Sequence, residues 1–184
     1  MSAAVDSPDD ILKFWFEELS PDDWYTADAA LDATIRDRFC DIHERAAACE
    51  LNRWRTNVDG ALAEIIILDQ FSRNIHRNTP RAFAQDNLAL ALAQEAIAKG
   101  FDKKLEPQRL CFLYLPFMHS ESRVIHERAV ELYRGLGDAN NIEYERQHKA
   151  IIDMFRRYPH RNNILGRKST PEEEEFLKQP NSSF

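Results

Sequence analysis

The chain has 184 residues, long enough for one sizeable core, and its 24 basic and 31 acidic side chains give a net charge of −7. An acidic chain repels a phosphate backbone, which argues against nucleic-acid binding. Three cysteines without a CxxC pair, an N-terminus without a signal-peptide pattern and apolar runs too short to cross a bilayer predict a cytoplasmic protein that does not bind membranes.

Helix-start signals organise the first part of the chain. Ser7 followed by Pro8 predicts the N-cap and first turn of one helix, and Asp28 predicts the N-cap of a second. Asn57 or Asp59 opens a third helix, whose apolar residues 65–68 predict that it is buried.

The middle of the chain contains helix-stop signals in addition to helix-start signals. The Thr79-Pro80 pair predicts the start of a fourth helix, which Gly100 ends. A fifth helix runs from Pro107 to about Pro116, and Ser120 predicts the cap of a sixth that ends at residues 135–137.

The last third predicts a seventh helix over residues 142–158 and a short final helix opened by a capping box at Thr170. Strand signals are nearly absent, and no linker rich in Gly, Pro or Ser divides the chain. The pattern therefore predicts one all-α domain over residues 1–184, with about eight helices packed as antiparallel α-hairpins.

The first polar cluster follows the buried third helix in the segment LDQFSRNIHR. It contains the candidate ligand-binding residues Asp69, Gln70, Arg73, Asn74 and Arg77. One interpretation is structural, because a buried carboxylate needs a partner and the arginine four residues later can provide it. The other is a pocket, because the arginines carry more charge than one aspartate neutralises.

Charge patterning favours a pocket for an anion. Residues 70–85 and 154–171 contain no acid, yet they hold 8 of the 24 Lys and Arg residues. If the two segments meet, they form a basic site on an acidic protein, where small carboxylates or phosphates would bind. The alternative is that each arginine pairs with an acid from another helix.

A second cluster lies in the segment LPFMHSE and contains His119 and Glu121. A histidine and a carboxylate at a helix start can perform acid–base chemistry, whereas a purely structural cap explains Ser120 and leaves His119 unexplained. On a later helix His148 is predicted to face the core, where a histidine is more often structural than a ligand.

The third cluster is the donor-rich loop YPHRNNILGR. Its candidate residues are His160, for acid–base chemistry, and Arg161, Asn162 and Arg167, for ligand binding. His43 and His126 lie in charged helical stretches and are predicted to be solvated. No metal or cofactor motif occurs, and neither a metal nor a cofactor is predicted.

These segments also resemble a known family. LDQFSRNIHR, LPFMHSE, YPHRNNILGRKSTPEE and a final NSSF are similar to the bacterial domain-of-unknown-function 924 family, with the resemblance extending from about residue 11 to residue 184. The resemblance implies an all-α, TPR-like helical array, and it implies no reaction. Its motif positions include most of the candidate residues in the three clusters.

Two functions follow as hypotheses. The first is a small anionic ligand bound in a polar pocket, with hydrolase or lyase chemistry in which His119, Glu121 and His160 are the catalytic candidates. The alternative is a TPR-like scaffold that binds a protein or peptide without catalysis.

Overall fold

A computed structural model describes residues 7–180, 182 and 183. Residues 1–6, where the sequence predicted no signal peptide, lie outside the described residues, as do Asn181 and Phe184 of the NSSF motif. All regular structure within the described residues is helical, which confirms the all-α prediction. None of the described helices combines the length and the apolar character that a membrane span requires.

The chain divides into two compact units. The first contains the residues up to Arg77 together with Arg81–Pro116, and the second contains Asn78–Pro80 and the residues from Phe117 onward. The predictions of one domain over residues 1–184 and of a TPR-like arrangement stay predictions.

The first unit is built from five helices in chain order and the greater part of a sixth. They are α1 Pro8–Lys13, α2 Ala29–Ala47, α3 Val58–Ile66, α4 Ser72–Ile75, α5 Asp86–Ala98 and α6 Pro107–Met118. Shorter pieces are π-helical (Phe14–Glu18 and Ile67–Phe71) or 3₁₀-helical (Asn52–Thr56, Pro80–Phe83 and Asp102–Lys104).

The N-caps of α1, α2 and α3 are the predicted ones, since Ser7, Asp28 and Asn57 accept hydrogen bonds from backbone N–H groups of the first turn. The predicted start of the next helix is wrong. The Thr79-Pro80 signal begins only the 3₁₀ turn, which an i→i+3 bond closes, and α5 starts later at Asp86.

Aromatic packing holds the core of the first unit together. The ring centroid of Phe39 on α2 lies 4.8 Å from that of Phe14 and 4.9 Å from that of Phe71. Trp15 packs against Phe71 at 5.6 Å. Both π-helical turns therefore present their aromatic side chains to this core, and α1 packs on α3 while α2 packs on α4.

The second unit contains α7 Arg123–Leu136, α8 Ala139–Phe155, a 3₁₀ turn Pro159–Arg161 and α9 Pro171–Phe176. α7 and α8 pack against each other as a helical hairpin. The turn between them uses Gly137 at φ +79° and the side-chain cap of Asp138. The aromatic rings of Phe155 and Phe176, 5.1 Å apart, pack α9 against the end of α8.

Four further boundaries differ from the sequence prediction. α6 continues through Pro116 to Met118. The N-cap of α7 is Ser122, while the predicted cap Ser120 accepts a hydrogen bond from the Ser122 N–H at 3.2 Å. α8 begins three residues earlier than predicted because Asp138 caps it, and it ends at Phe155, where the C-cap residue Arg156 adopts the left-handed region at φ +63°.

Candidate functional site

The LDQF segment forms a π-helical turn rather than a regular α-helical one. Asp69 and Gln70 are buried in it, with the Gln70 amide donating to the Asp69 carboxylate. A π turn inserts one extra residue, so the side chains that follow are rotated relative to a continuous α-helix. Such turns occur frequently at functional sites, and this one interrupts the 3.6-residue pattern from which the sequence placed Asp69 and Arg73 on one face.

Arg73 forms its tightest side-chain ion pair with Asp86 of α5. Its two Nη atoms lie 3.0 and 3.2 Å from the Asp86 carboxylate oxygens. Arg73 also donates to the backbone oxygen of Asp69 at 2.6 Å, while the Asp69 carboxylate is farther away at 3.5 Å. The predicted Asp69–Arg73 pair therefore exists, but a carboxylate distant in sequence shares the charge.

Arg77 and Asn74 converge on Asp32 of α2. Arg77 donates from Nε and Nη2 at 2.5 and 2.7 Å, and Asn74 donates at 2.9 Å. Burial alone would raise the pKa of Asp32, but these donors hold it below its usual value, and Asp32 in turn raises the pKa of Arg77. The charge of Arg77 is thus neutralised within the first unit.

His43 is a buried residue that the sequence prediction placed in solvent. It is only 2% exposed, and its Nε2 lies 2.8 Å from the Ser72 hydroxyl. Ser72 donates its own proton to the Leu68 oxygen, so His43 must carry hydrogen on Nε2. Burial, together with the nearby charges of His76 and Arg81, lowers the pKa of His43 to about 4.

In the second unit Glu121 anchors the donor-rich loop. Both oxygens accept from the Arg167 guanidinium, at 2.6 and 2.9 Å, and one also accepts from the Tyr158 N–H at 2.8 Å. Burial opposes ionisation, but Arg167 and the Tyr158 N–H together keep the pKa of Glu121 below its usual value. Glu121 is therefore an ionised group with both oxygens engaged.

The other end of the loop is held by Glu173 of α9. Glu173 accepts from Arg157 at 2.6 and 2.7 Å and from Asn162 at 3.2 Å, and it completes the predicted capping box with Thr170. Arg157 is the main cause that lowers the pKa of Glu173 to about 2. Asn162 links both ends, because its side-chain oxygen accepts from Arg167 at 2.9 Å.

A buried acid–base pair joins α7 to α8. His126 is fully buried, its Nδ1 lies 2.8 Å from Glu145, and its Nε2 lies 2.8 Å from the Ser120 oxygen and 3.1 Å from the Tyr158 hydroxyl. The Tyr158 hydroxyl donates its proton to the Met118 oxygen at 2.5 Å. Nε2 of His126 must therefore carry hydrogen, and Nδ1 is the ring nitrogen that contacts Glu145.

His126 is the clearest residue that the sequence prediction missed. It was expected in solvent because charged residues flank it. The spacing to the buried Ala129 and Tyr133, three and seven residues later, is the signal that places it on the inner face of α7.

The Tyr158 ring is the centre of a basic group that we call the Arg161 cluster, made of His119, His148, Tyr158, His160 and Arg161. The Arg161 guanidinium carbon lies 4.6 Å from the Tyr158 ring centroid, and the His160 and His148 rings lie 5.5 and 5.8 Å from it. Arg161 is only 6% exposed. A guanidinium remains charged at every physiological pH, so this cluster contains a buried positive charge.

The lowered pKa of His148 indicates the electrostatic field within the cluster. Its Nδ1 donates to the Tyr144 oxygen at 2.8 Å, which leaves Nε2 as the nitrogen with the lone pair. Burial is the largest cause that lowers the pKa of His148 to about 3, and the charges of His119, His126 and Arg161 lower it further. The prediction that His148 faces the interior is correct, and the ring stays neutral there.

The candidate residues are distributed over both units. Those in the first unit are Asp69, Gln70, Arg73, Asn74 and Arg77, and those in the second are His119, Glu121, His148, His160, Arg161, Asn162 and Arg167. The prediction that residues 69–77 and 160–167 share one site stays a prediction. Within the described ranges, no group of three or more His, Cys, Asp or Glu residues is arranged to hold a metal ion.

Comparison with other proteins identifies relatives without a known activity. Residues 11–181 match the family described as bacterial protein of unknown function, DUF924. A solved structure of a protein of unknown function from Agrobacterium tumefaciens is similar, with a TM-score of 0.89 and 40% sequence identity over 93% of this chain and 96% of the other. None of the curated proteins matches the chain.

Proposed function

The chain belongs to the bacterial DUF924 family of unknown function, and because that family supplies no reaction, we propose from the contacts of the second unit that the protein binds a small anionic ligand at the Arg161 cluster. The observation that carries this proposal is the buried Arg161 guanidinium, whose carbon lies 4.6 Å from the Tyr158 ring centroid. A guanidinium is planar, and its N–H groups form a fork that binds carboxylates and phosphates.

The field at His148 supports an anion rather than a neutral ligand. Three positively charged or protonatable neighbours lower the pKa of this imidazole, so the same field attracts a negative group. Low exposure strengthens the attraction, since water screens buried charges less than surface ones.

In this proposal the candidate residues of the second unit have different roles. Arg161 binds the anion, while His119 and His160 are the acid–base candidates for hydrolase or lyase chemistry on it. Glu121 has both oxygens engaged by the loop and is assigned to positioning, together with Asn162 and Arg167. The three cysteines form no disulfide, which supports the cytoplasm as the location.

The alternative function, a peptide-binding scaffold, has one observation in its favour. A groove of about 930 Å³ between the end of α8 and α9 is lined by Met154, which is 69% exposed, and by Phe155 and Phe176. Exposed apolar side chains of this kind are typical of peptide grooves. The groove does not include any member of the Arg161 cluster, so the two functions are separable by mutation.

Thermal unfolding with a panel of small anions tests the proposal. Phosphate, sulfate, acetate, succinate and citrate are added to a low-chloride buffer at matched ionic strength. At least one anion is expected to raise the Tm of the wild type in a saturable manner, because a ligand that binds only the folded state stabilises it by mass action. The Arg161→Gln variant is expected to lose this response.

Two further variants make the result interpretable. Arg128→Gln on α7 is the matched control, since Arg128 is half exposed and pairs only locally with Glu131. It should respond as the wild type does. Arg161→Lys keeps the charge but lacks the planar fork, so it should fold and bind more weakly. Equal responses in the wild type and both Arg161 variants would contradict the proposal.

A further inference from the structure

A second cavity of the same unit is lined by residues of α7 and α8. Its volume is about 180 Å³. Its lining consists of Val130, Tyr133, Arg134, Ile142, Glu145 and Arg146. It shares no lining residue with the Arg161 cluster, so an inference from it does not depend on the proposed function.

Glu145, which lines this cavity, has one buried carboxylate oxygen without a hydrogen-bond partner among the described residues. Glu145 is only 1% exposed, and its Oε1 is bonded to His126. Its Oε2 is buried and has no hydrogen-bond partner among the described residues. A buried acceptor without a hydrogen bond destabilises the folded protein, so a ligand that donates a hydrogen bond to Oε2 would be stabilised there. Burial also raises the pKa of Glu145, which is the response of an acid without enough donors.

The outer part of the lining is basic and exposed, whereas Glu145 is acidic and buried. Arg134 and Arg146 are both exposed, and the side chain of Arg146 is only loosely paired, with 3.9 Å separating it from Glu143. Their guanidinium groups can reorient toward a ligand carboxylate with little loss of existing bonds. The cavity therefore combines a buried acceptor with two arginine donors.

We propose that this cavity binds a small zwitterion, an α-amino acid with a short side chain. Its ammonium group donates to Oε2 of Glu145, and its carboxylate accepts from Arg134 and Arg146. The volume corresponds to about six water molecules at ~30 Å³ each, which suits a ligand of five to seven heavy atoms, roughly glycine to serine. Val130 and Ile142 provide the apolar wall for the short side chain.

The competing occupant is ordered water. A polar cavity of this size can hold several waters, and one of them can donate to Oε2. The two occupants differ in their requirement for the arginines, because water satisfies Glu145 without them. Ligands that carry only one of the two charges further distinguish binding of a zwitterion from occupation by water.

NMR titration of the ¹⁵N-labelled full chain tests the proposal. Glycine, L-alanine and L-serine are added to millimolar concentration, with methylammonium and acetate as ligands that carry one charge each. At least one amino acid is expected to shift the amide signals of residues 130–134 and 142–146 in a saturable manner. Methylammonium and acetate are expected to bind about tenfold or more weakly, since each makes only half of the contacts.

Variants complete the experiment. The double variant Arg134→Gln/Arg146→Gln changes exposed side chains and should fold, yet its affinity should fall by about tenfold or more. Val130→Phe fills the cavity and should abolish binding, and Glu127→Gln on the same helix is the control that should not change it. The proposal is overturned if no amino acid binds, if both double variant and wild type bind equally, or if a crystal structure with glycine shows only water at Oε2.

Discussion

At the scale of single residues, the arginines of the second unit have different tasks. Arg157 and Arg167 each direct two nitrogen donors at one carboxylate, Glu173 and Glu121 respectively. Arg161 instead lies over an aromatic ring. A guanidinium bonded to both oxygens of a carboxylate holds the loop, whereas a guanidinium over an aromatic ring makes a cation–π contact with it. The anion proposal rests on Arg161 because it is the buried arginine of the Arg161 cluster.

The pairing of Glu173 predicts a specific dependence of stability on pH. The folded-state pKa of Glu173 is lowered to about 2 from an ordinary value of 4.5, so its contribution is complete above about pH 5 and is lost as pH falls from 4.5 to 2. The Glu173→Gln variant should therefore have a lower Tm than the wild type at pH 7, with the difference shrinking through this window. Thermal unfolding at a series of pH values measures it.

The control for this prediction is Glu175→Gln on the same helix. Glu175 is 70% exposed and pairs only with Lys178, so its replacement should change the Tm little at any pH. If the Tm difference between the Glu173→Gln variant and the wild type stays constant from pH 7 to pH 2.5, the pair of Glu173 with Arg157 does not stabilise the folded state.

Sequence reasoning succeeded for residues whose partners are local and failed for those whose partners are distant. Thr170 and Glu173 form a capping box three residues apart, and the sequence identified it. Asp32 and Arg77 are 45 residues apart, so their pairing depends on tertiary packing that no local pattern contains. For the same reason the sequence overestimated the surplus of positive charge, since Arg73, Arg77, Arg157 and Arg167 all pair with acids.

At the scale of secondary structure, α3 is the element most constrained by close backbone contact. A Cβ atom built on Gly60 would lie 2.1 Å from the backbone oxygen of Trp54 in the preceding 3₁₀ turn. A contact with backbone cannot be relieved by rotating a side chain.

Gly60→Ala is therefore expected to destabilise the protein by about 1–3 kcal/mol, despite the better helix propensity of alanine. Gly135→Ala on α7 is the matched control, since a Cβ there meets nothing within 4 Å and should add roughly 0.5–1 kcal/mol of stability. Urea unfolding of both variants gives the two free energies. A neutral Gly60→Ala would mean that Trp54 is not fixed as described.

Helix existence was predictable from periodicity, but helix irregularity was not. The stretch from Leu62 to Phe71 has an apolar pattern that a continuous α-helix and an α-helix with a π turn satisfy equally. The π turn is selected by packing of Phe71 against Phe14 and Phe39 in the folded core. A local sequence pattern therefore located the polar cluster without giving the directions of its side chains.

At the scale of the whole molecule, an acidic chain of net charge −7 contains a cluster of basic groups in which Arg161 and His148 are buried. We expect the net negative charge to repel large polyanions, and we propose that a small anion at the cluster is attracted by the charge of Arg161. The sequence indicated two of these features, the overall acidity of the chain and the segments that contain no acidic residue. The sequence did not show the different roles of the arginines, which make Arg161 the candidate binding residue.

A crystal structure grown with the anion that gives the largest Tm increase tests this account most directly. The account predicts density for the anion within about 3 Å of the Arg161 guanidinium nitrogens. The Tyr158 ring should remain stacked on the guanidinium, and Glu121 should remain bonded to Arg167. Density for the anion only at exposed arginines such as Arg128, with the Arg161 cluster unchanged and holding none, would contradict it.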